Sequence, residues 1–213
     1  YLNSNALLYY DSISEMKMAE NLIAGQFVET KGFYSIGDGG SAKYIIREKN
    51  ENETSDEITT FNLLDDTLIA ELIINDRINI LQLGCKGDGT TTHQELKIQA
   101  GIEFMINKYG KANIYVPDGT YVINYQWYVR NGENYGIMGI RIHSNTVIEG
   151  ESLNAILKAQ TNGYGAGAFY GLIRSDMDND CVSDVIIKNI TIDGSGENHN
   201  AGNTGETNIL LDV

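Results

Sequence analysis

The chain has 213 residues and a formal charge of -14 at pH 7. This charge argues against binding to nucleic acid, whose phosphates it would repel, and against an anionic membrane surface. Hydrophobic residues make up 42% of the chain, which is ordinary for a globular protein with a sizeable core. No uninterrupted apolar stretch approaches about 18 residues, so the sequence predicts no transmembrane helix.

A small α+β module is predicted near the N-terminus. Ser12 and Glu15 form a capping-box pattern, which indicates the start of a short helix that reaches residue 25. Two strands are predicted at residues 26–31 and 42–47, and a glycine-rich connection joins them. The connection contains Gly37 to Ser41 but no following lysine or helix, so we interpret it as structural rather than as a phosphate-binding loop.

Residues 48–57 are acidic and have no apolar anchor, so we expect a mobile exposed loop. Three strands are predicted after it, at residues 59–64, 68–74 and 77–83. We therefore divide the chain into a small module with its mobile acidic loop, residues 1–58, and a second part, residues 59–213.

A turn, a helix and two strands are predicted at residues 83–121. The turn is Gly87-Asp88-Gly89, and Thr92 with Glu95 forms a capping-box pattern for the helix. Apolar residues then recur at helical spacing on one face, at Ile98, Ile102, Met105, Ile106 and Tyr109. Gly110 is expected to end the helix, and short strands are expected on both sides of Pro117-Asp118-Gly119.

Later residues predict stacked coils. Short strands at 146–150, 155–159, 171–174 and 185–194 repeat at roughly 20 to 30 residues, as stacked coils require. Insertions are predicted at residues 125–139 and 161–168, and such insertions commonly form a binding face. Because the chain starts at Tyr1 and stops within an apolar run, we expect an N-terminal piece of a longer solenoid.

The motifs of residues 84–121 resemble a known family. The string from Gly84 to Thr91, then Ile98-Gln99-Ala100 and the string from Val116 to Tyr121, is similar to the opening motif of the pectate-lyase-like β-helix superfamily. The resemblance implies a mainly β fold, a right-handed parallel β-helix with an amphipathic capping helix. This superfamily includes lyases, hydrolases, epimerases and binding proteins, so the motif indicates a fold rather than a reaction.

The run from Phe27 to Tyr44 resembles a small module that precedes the β-helix in many bacteriophage tailspike and pre-neck appendage proteins. This resemblance implies a virion protein that forms a homotrimer, contacts other tail proteins and acts at the host cell surface. It would bind a bacterial surface glycopolymer such as capsular polysaccharide or teichoic acid. Our hypothesis is that it also degrades this polymer. Two alternatives remain, namely a secreted bacterial polysaccharide lyase or hydrolase and a non-catalytic adhesive spike.

Candidate catalytic carboxylates follow two predicted strands. Asp176 and Asp178 alternate in an acidic run and could share one face, which suits a carboxylate pair or a calcium site. An EF-hand is rejected because Cys181 replaces its glycine, and a solvated acidic turn is the alternative. Asp193 ends a later strand, where turn formation by Asp-Gly explains it equally well.

Candidate substrate-binding residues are Arg141, His143 and Arg174, which could contact an anionic sugar or phosphate. The alternative interpretation is that these three residues are lone exposed side chains with no role in binding. Cys85 and Cys181 form no metal-ligand motif and are expected to be buried thiols. No cofactor or metal ligand set is therefore predicted, apart from a divalent cation at the acidic run. We expect the complete active site to lie beyond Val213 or to be shared with a neighbouring subunit.

Overall fold

A computed structural model describes residues 7–130, 133–160, 170–175, 182–195 and 206–210 of the chain. Its secondary structure is mainly β, with several parallel strand pairs and few helices. The chain forms two compact units, residues 1–84 and residues 85–213. Within the described ranges, no helix is long and apolar enough to span a membrane.

The first unit contains one five-stranded sheet. Its strands are β1 (Leu8–Tyr10), β2 (Phe27–Thr30), β3 (Ala42–Glu48), β4 (Thr60–Asn62) and β5 (Leu68–Leu72). They are arranged in the order β1-β2-β3-β5-β4, with β1 parallel to β2 and the other pairs antiparallel. Tyr44, Ile46, Phe61 and Ile69 form part of its buried core. A short strand β6 (Ile78–Asn79) and a 3-10 helix (Ile80–Leu83) follow the sheet.

Helix α1 (Ile13–Lys17) begins at Ser12, as predicted. The Ser12 hydroxyl accepts a hydrogen bond from the Glu15 N–H, and the Glu15 carboxylate accepts one from the Asp11 N–H. The prediction that this helix reaches residue 25 is wrong. The helix ends at Lys17, with Met18 as its C-cap, and Asn21 then adopts a left-handed backbone with φ of 64°.

The glycine-rich connection between β2 and β3 is organised around Asp38. The Asp38 carboxylate accepts hydrogen bonds from the N–H groups of Phe33, Tyr34, Ser35 and Gly40. Burial opposes ionisation of Asp38, but these four backbone bonds outweigh it and hold the pKa of the carboxyl below its ordinary value. An internal carboxylate thus occupies the amides that a phosphate would need, which confirms the structural interpretation.

Strands β4 and β5 pair with the sheet of the first unit, so the boundary expected after residue 58 lies inside that unit. The acidic segment before β4 is joined to the same sheet by Arg47. Its guanidinium donates to Glu53 at 2.6 and 2.8 Å and to Glu71 at 2.7 Å. Because the hydrogen bonds from Arg47 favour its ionised form, the pKa of Glu53 falls to about 2.

The second unit consists of helix α2 (Gln94–Tyr109) followed by three successive coils of parallel strands. The first coil is β7 (Ala112–Val116), β8 (Gly119–Ile123) and β10 (Glu133–Ile142); the second is β11 (Thr146–Gly150), β12 (Ala155–Ala159) and β13 (Tyr170–Ser175); the third is β14 (Ile186–Lys188), β15 (Thr191–Asp193) and β16 (Glu206–Leu210). Equivalent strands of neighbouring coils pair in parallel and form the ladders β7-β11-β14, β8-β12-β15 and β10-β13-β16.

Strand β9 (Gln126–Arg130) forms an antiparallel hairpin with the first half of β10. The predicted insertion at residues 125–139 therefore contains a hairpin that extends one ladder. The second predicted insertion, residues 161–168, lies outside the described residues. Inside the coils, Ile114 is in register with Ile148, and Tyr121 is in register with Leu157. All four side chains are buried, as expected for the inner faces of stacked strands.

Helix α2 matches the prediction at its apolar face and its C-terminus. Ile98, Ile102 and Met105 are buried, and Gly110 ends the helix in a left-handed conformation. Tyr109, expected on the same face, is 42% exposed. The predicted capping box is wrong, because the N-cap residue is His93, which makes no side-chain capping bond.

The Gly-Asp-Gly motif pairs with β8 rather than forming an isolated turn. The Gly89 N–H donates to the Thr120 carbonyl at 2.8 Å, and the Thr120 N–H donates to the Gly87 carbonyl at 3.0 Å. A Cβ atom on Gly119 would lie 2.9 Å from the Gly87 carbonyl oxygen, and Gly119 has a φ of 146°. The motif therefore extends the β8 ladder through a backbone contact that leaves no room for side chains.

Replacement of Gly119 by alanine tests this backbone contact. We expect Gly119→Ala to lower the free energy of unfolding by about 2 to 3 kcal/mol, because strain at positive φ adds to the clash. Gly110→Ala is the matched control, because Gly110 has a φ of 70° but open space around its Cα. Urea unfolding followed by the fluorescence of Trp127, the chain's one tryptophan, measures both variants. Equal losses in the two variants would contradict the close contact.

Candidate functional site

Three polar residues of α2 form a line along one face of the helix. Glu95, Gln99 and Glu103 are spaced four residues apart, which places their side chains above one another. We call these three residues the polar stripe. It runs beside the buried apolar face of α2, and each of its members accepts a hydrogen bond from the first coil.

The contacts of the polar stripe follow the edge of the first coil. Glu95 accepts a hydrogen bond from the Asn124 N–H at 2.8 Å, and the Gln99 amide oxygen accepts one from the Arg141 N–H at 2.8 Å. Strand β9 pairs with β10 only as far as Met138. Farther along β10, the Gln99 side chain therefore supplies a partner that a neighbouring strand would otherwise provide.

Glu103 joins two residues that the sequence nominated for substrate binding. Its Oε1 accepts from the Arg141 guanidinium at 2.7 Å and lies 2.9 Å from His143 Nε2. The bond from His143, opposed by burial and supported by Arg141, lowers the pKa of Glu103 to about 2. Glu103 is therefore ionised at neutral pH and cannot donate a proton as a general acid there.

Glu95 is 1% exposed, although it carries a carboxylate. Its oxygens accept from the Asn124 N–H and from the Gln126 side-chain amide at 3.3 Å, and His93 Nδ1 lies 3.2 Å away. A buried carboxylate is tolerated when hydrogen bonds replace its lost water. Glu95 thus fixes the start of α2 to the turn between β8 and β9.

A pocket of about 220 Å³ lies in the second unit between the polar stripe and β10. Glu95, Gln99, Gln126 and Arg141 supply its polar groups, and Met138 is part of its apolar lining. A few convergent polar groups on a partly apolar surface are typical of small-ligand sites, although this pocket is smaller than the roughly 300 to 1,000 Å³ that such sites usually have. This pocket is therefore the candidate site that the described residues of the second unit form.

The structure brings together the three residues predicted to bind substrate. Arg141 and His143 share the Glu103 carboxylate, and Arg141 is in register with Arg174 on the next coil. Residues in register on parallel strands project from the same face of a sheet. Arg174 is 6% exposed, whereas the Arg141 side chain is 31% exposed. Their binding of an anionic substrate stays a prediction.

The residues predicted to be catalytic are placed differently. Asp193 lies in the β8-β12-β15 ladder, so it does not share a ladder with Arg141. It accepts a hydrogen bond from the Ser195 N–H at 2.8 Å and lies 3.6 Å from Lys158 Nζ. These contacts fit the turn that the sequence offered as an alternative. Asp176 and Asp178 lie outside the described residues, and all three catalytic roles stay predictions.

Among the described residues there is no cluster of metal-ligating side chains, and the described cysteine, Cys85, is buried. In the ranges 7–130, 133–160, 170–175, 182–195 and 206–210, no three His, Cys, Asp or Glu residues are grouped to hold a metal ion. The acidic run that suggested a cation lies outside them. Cys85 is buried as predicted, and burial raises the pKa of its thiol to about 12, which makes it unreactive. Cys181 is outside the described residues.

Sequence reasoning missed the polar stripe. The capping-box pattern drew attention to Glu95 alone, whereas Gln99 and Glu103 repeat it at intervals of one helical turn. That repeat, next to the apolar positions, is the signal that could have identified a second contacting face of α2.

Comparison with protein families gives one match. Residues 77–209 match the family described as rhamnogalacturonase A/epimerase, pectate lyase-like, and this stretch is more than half of the chain. No curated protein sequence matches the chain.

Solved structures with a similar fold include bacteriophage tailspikes. Full-length tailspike protein 2 from an Escherichia coli O157:H7 bacteriophage superposes with a TM-score of 0.60 at 17% identity, over 94% of this chain and 23% of that chain. Tailspike gp49 of Acinetobacter baumannii bacteriophage Fri1, a capsular polysaccharide depolymerase, superposes with a TM-score of 0.51 at 11% identity, over 86% of this chain and 42% of that chain.

A bacterial protein shares the fold as well. Pantoea stewartii WceF, a glycan biofilm modifying enzyme with a bacteriophage tailspike-like parallel β-helix, superposes with a TM-score of 0.51 at 16% identity, over 81% of this chain and 28% of that chain. The chain thus spans about a quarter of the length of the first tailspike and of this enzyme. These similarities confirm the predicted parallel β-helix and the likeness to tailspikes at the level of the fold.

Substitution of Glu103 tests the electrostatics of the polar stripe. We expect Glu103→Gln to lower the free energy of unfolding by roughly 1 to 2 kcal/mol at pH 7, since partial exposure screens its bonds to Arg141 and His143. Because the pKa of Glu103 is lowered on folding, its contribution is present above pH 4.5 and is lost as the pH falls to about 2.

Urea unfolding at several pH values measures this contribution, with Trp127 fluorescence as the probe. The difference between the native chain and Glu103→Gln should shrink over that acidic range. Glu51→Gln, which changes an exposed carboxylate of the first unit, is the control for net charge and should have little effect. A difference that is independent of pH would rule out the ionised carboxylate as the cause.

Proposed function

The chain belongs to the pectate-lyase-like family of rhamnogalacturonase A and epimerases, and from this premise we propose that it is part of a phage tailspike or appendage protein. In this proposal the protein binds and degrades a bacterial surface glycopolymer, either a capsular polysaccharide or a teichoic acid, during adsorption to the host. It acts outside the host cell, as a component of the virion tail.

One observation carries the proposal. The tailspike superposition extends over 94% of the chain, whereas the family match begins at residue 77. The likeness to tailspikes therefore includes most of the first unit, which the family match leaves out. A β-helix alone would be compatible with many activities, because fold does not determine function.

The proposal also concerns assembly and architecture. The protein forms a homotrimer and contacts other tail proteins, as the resemblance to appendage proteins implies. The coils wind in the right-handed sense, which is the strong preference of connections between parallel strands. Helix α2 caps the first coil, and this role is supported by its contacts with β7, β8 and β10.

The proposed chemistry depends on the polymer. For a glycosidic bond, one carboxyl group protonates the leaving oxygen while a second carboxylate activates water or attacks the sugar. Asp176, Asp178 and Asp193 are the candidates for these roles. For a teichoic acid phosphodiester, a divalent cation or a base would activate the nucleophile. Arg141, His143 and Arg174 would bind the anionic groups of the polymer.

A second function is favoured by the similarity to WceF, a bacterial enzyme that superposes over 81% of the chain. In this alternative the protein is a secreted bacterial polysaccharide lyase or hydrolase. The mass of the purified protein in solution distinguishes the two, because the tailspike requires a trimer and the secreted enzyme would be a monomer.

Incubation of the full-length protein with purified capsular polysaccharide and, separately, with wall teichoic acid tests the function. We expect one polymer to become shorter when its length is followed by size-exclusion chromatography. Asp193→Asn should slow the cleavage about 100-fold or more if Asp193 acts as an acid or base. Polymer that is bound without shortening would instead identify a non-catalytic adhesive spike.

Glu149→Gln is a matched control for Asp193→Asn. Glu149 pairs with Lys188 at 3.2 Å across neighbouring coils, much as Asp193 pairs with Lys158 at 3.6 Å. We expect this variant to cleave at the native rate. Equal rates in both variants and the native chain would exclude Asp193 from the mechanism. They would leave the proposal about which polymer is cleaved unchanged.

A further inference from the structure

The first unit contains a pocket of its own, with a volume of about 480 Å³. This volume lies within the range of roughly 300 to 1,000 Å³ that is typical of small-ligand sites. Its lining includes Ser14 of α1, Met18 at the C-cap of that helix, and the aromatic residues Phe33, Tyr34 and Phe61, which we call the aromatic wall. Met18 is 65% exposed and Tyr34 is 47% exposed, so both present their side chains to a ligand.

The aromatic wall is held in place before any ligand binds. Phe33 packs edge to face against Tyr34 at 4.8 Å and against Phe61 at 6.0 Å between ring centroids. The Tyr34 hydroxyl donates to the Gly84 carbonyl at 2.7 Å, and the Phe33 carbonyl accepts from the Ile13 N–H at 3.1 Å. Such contacts reduce the entropy that binding would otherwise cost.

The rim of the pocket carries one positive and one negative charge. Lys17 and Glu57 form an ion pair, and their side chains are 34% and 43% exposed. Glu57 also accepts hydrogen bonds from Ser55 and Asn62, which fix the carboxylate in position. Glu57 adopts a left-handed backbone with φ of 56°, which a residue other than glycine rarely adopts.

We propose that this pocket binds one pyranose ring of an uncharged glycan. The Tyr34 ring stacks against the C–H face of the sugar, while neighbouring hydroxyl groups accept from Lys17 and donate to Glu57. The two rim charges cancel, and the chain carries a net charge of -14, so an anionic sugar is disfavoured.

The rim also argues against an apolar side chain of a partner protein as the occupant. An apolar group would remove water from the Lys17–Glu57 pair and offer no hydrogen bonds in return, which is costly for a charged pair. Sugar hydroxyls replace those water molecules. Because every lining residue belongs to the first unit, this site does not depend on catalysis by the β-helix.

A titration of the 213-residue protein with glucose, galactose and N-acetylglucosamine tests the site, with glucuronate as the charged comparison. We expect shifts of the Ser14, Met18 and Tyr34 amide signals in ¹H–¹⁵N NMR spectra with at least one neutral sugar. Tyr34→Ala should weaken this binding about three- to tenfold. Tyr9→Ala, which removes another exposed tyrosine of the first unit, should leave it unchanged.

The charged rim is tested separately with Glu57→Gln and Lys17→Met, which also serve if Tyr34→Ala does not fold. Both should weaken binding, whereas Lys43→Met, which removes the lysine paired with Glu29, should not. The proposal is overturned by an absence of shifts at these amides with all three neutral sugars, by tighter binding of glucuronate, or by unchanged binding in both rim variants. If the protein does not cleave the polymers of the proposed function, the sugar-binding results at this pocket are unaffected.

Discussion

The attachment of α2 to the first coil depends on the polar stripe formed by Glu95, Gln99 and Glu103. A parallel strand stack leaves backbone groups at its edges, and each such group needs a partner if water is excluded. Gln99 and Glu95 meet this need at Arg141 and Asn124. Each bond contributes only about 1 kcal/mol, but an unsatisfied buried group costs roughly 1 to 3 kcal/mol. The register of helix and strand is thereby constrained.

This constraint separates the acids that hold the fold from those available for chemistry. Glu95 is buried and hydrogen-bonded, and Glu103 is kept ionised by His143 and Arg141. Glu103 is therefore not suited to protonate a leaving group at neutral pH. Arg141 differs from these acids, since its guanidinium is bonded to Glu103 and the residue also lines the pocket beside β10. The ion pair with Glu103 can thus hold the positively charged Arg141 side chain in place for a ligand.

Local patterns in the sequence predicted much of the fold. The strands around Pro117 and the stop at Gly110 depend on short-range rules, and the structure confirms them. The predicted repeat of roughly 20 to 30 residues is too short, since Ile114 pairs with Ile148, 34 residues later, and Ile148 pairs with Ile187, 39 residues later. The strand predicted at 185–194 is two strands, Ile186–Lys188 and Thr191–Asp193, which belong to different ladders. The family motifs supplied the parallel β-helix. Helix α1 was predicted too long because apolar spacing continued beyond Lys17, whereas the helix ends there with Met18 as its C-cap.

The candidate site was harder to predict for a physical reason. Thr92 and Glu95 fit a local capping box, but the carboxylate bonds instead with Asn124, 29 residues away in the chain. Such a contact exists only after the first coil has formed, so no local rule reports it. Arg141 and His143 were nominated together with Arg174 for substrate binding, which stays a prediction, and Glu103, the shared partner of the first two, lies on a different element.

Amide hydrogen exchange at Arg141 tests the central role of the polar stripe most directly. Its N–H donates to the Gln99 side chain, so we expect slow exchange in the native chain. In Gln99→Leu, exchange at Arg141 should become much faster, while the amides of β7 remain protected. Rapid exchange at Arg141 in the native chain, or protection unchanged by Gln99→Leu, would contradict the account.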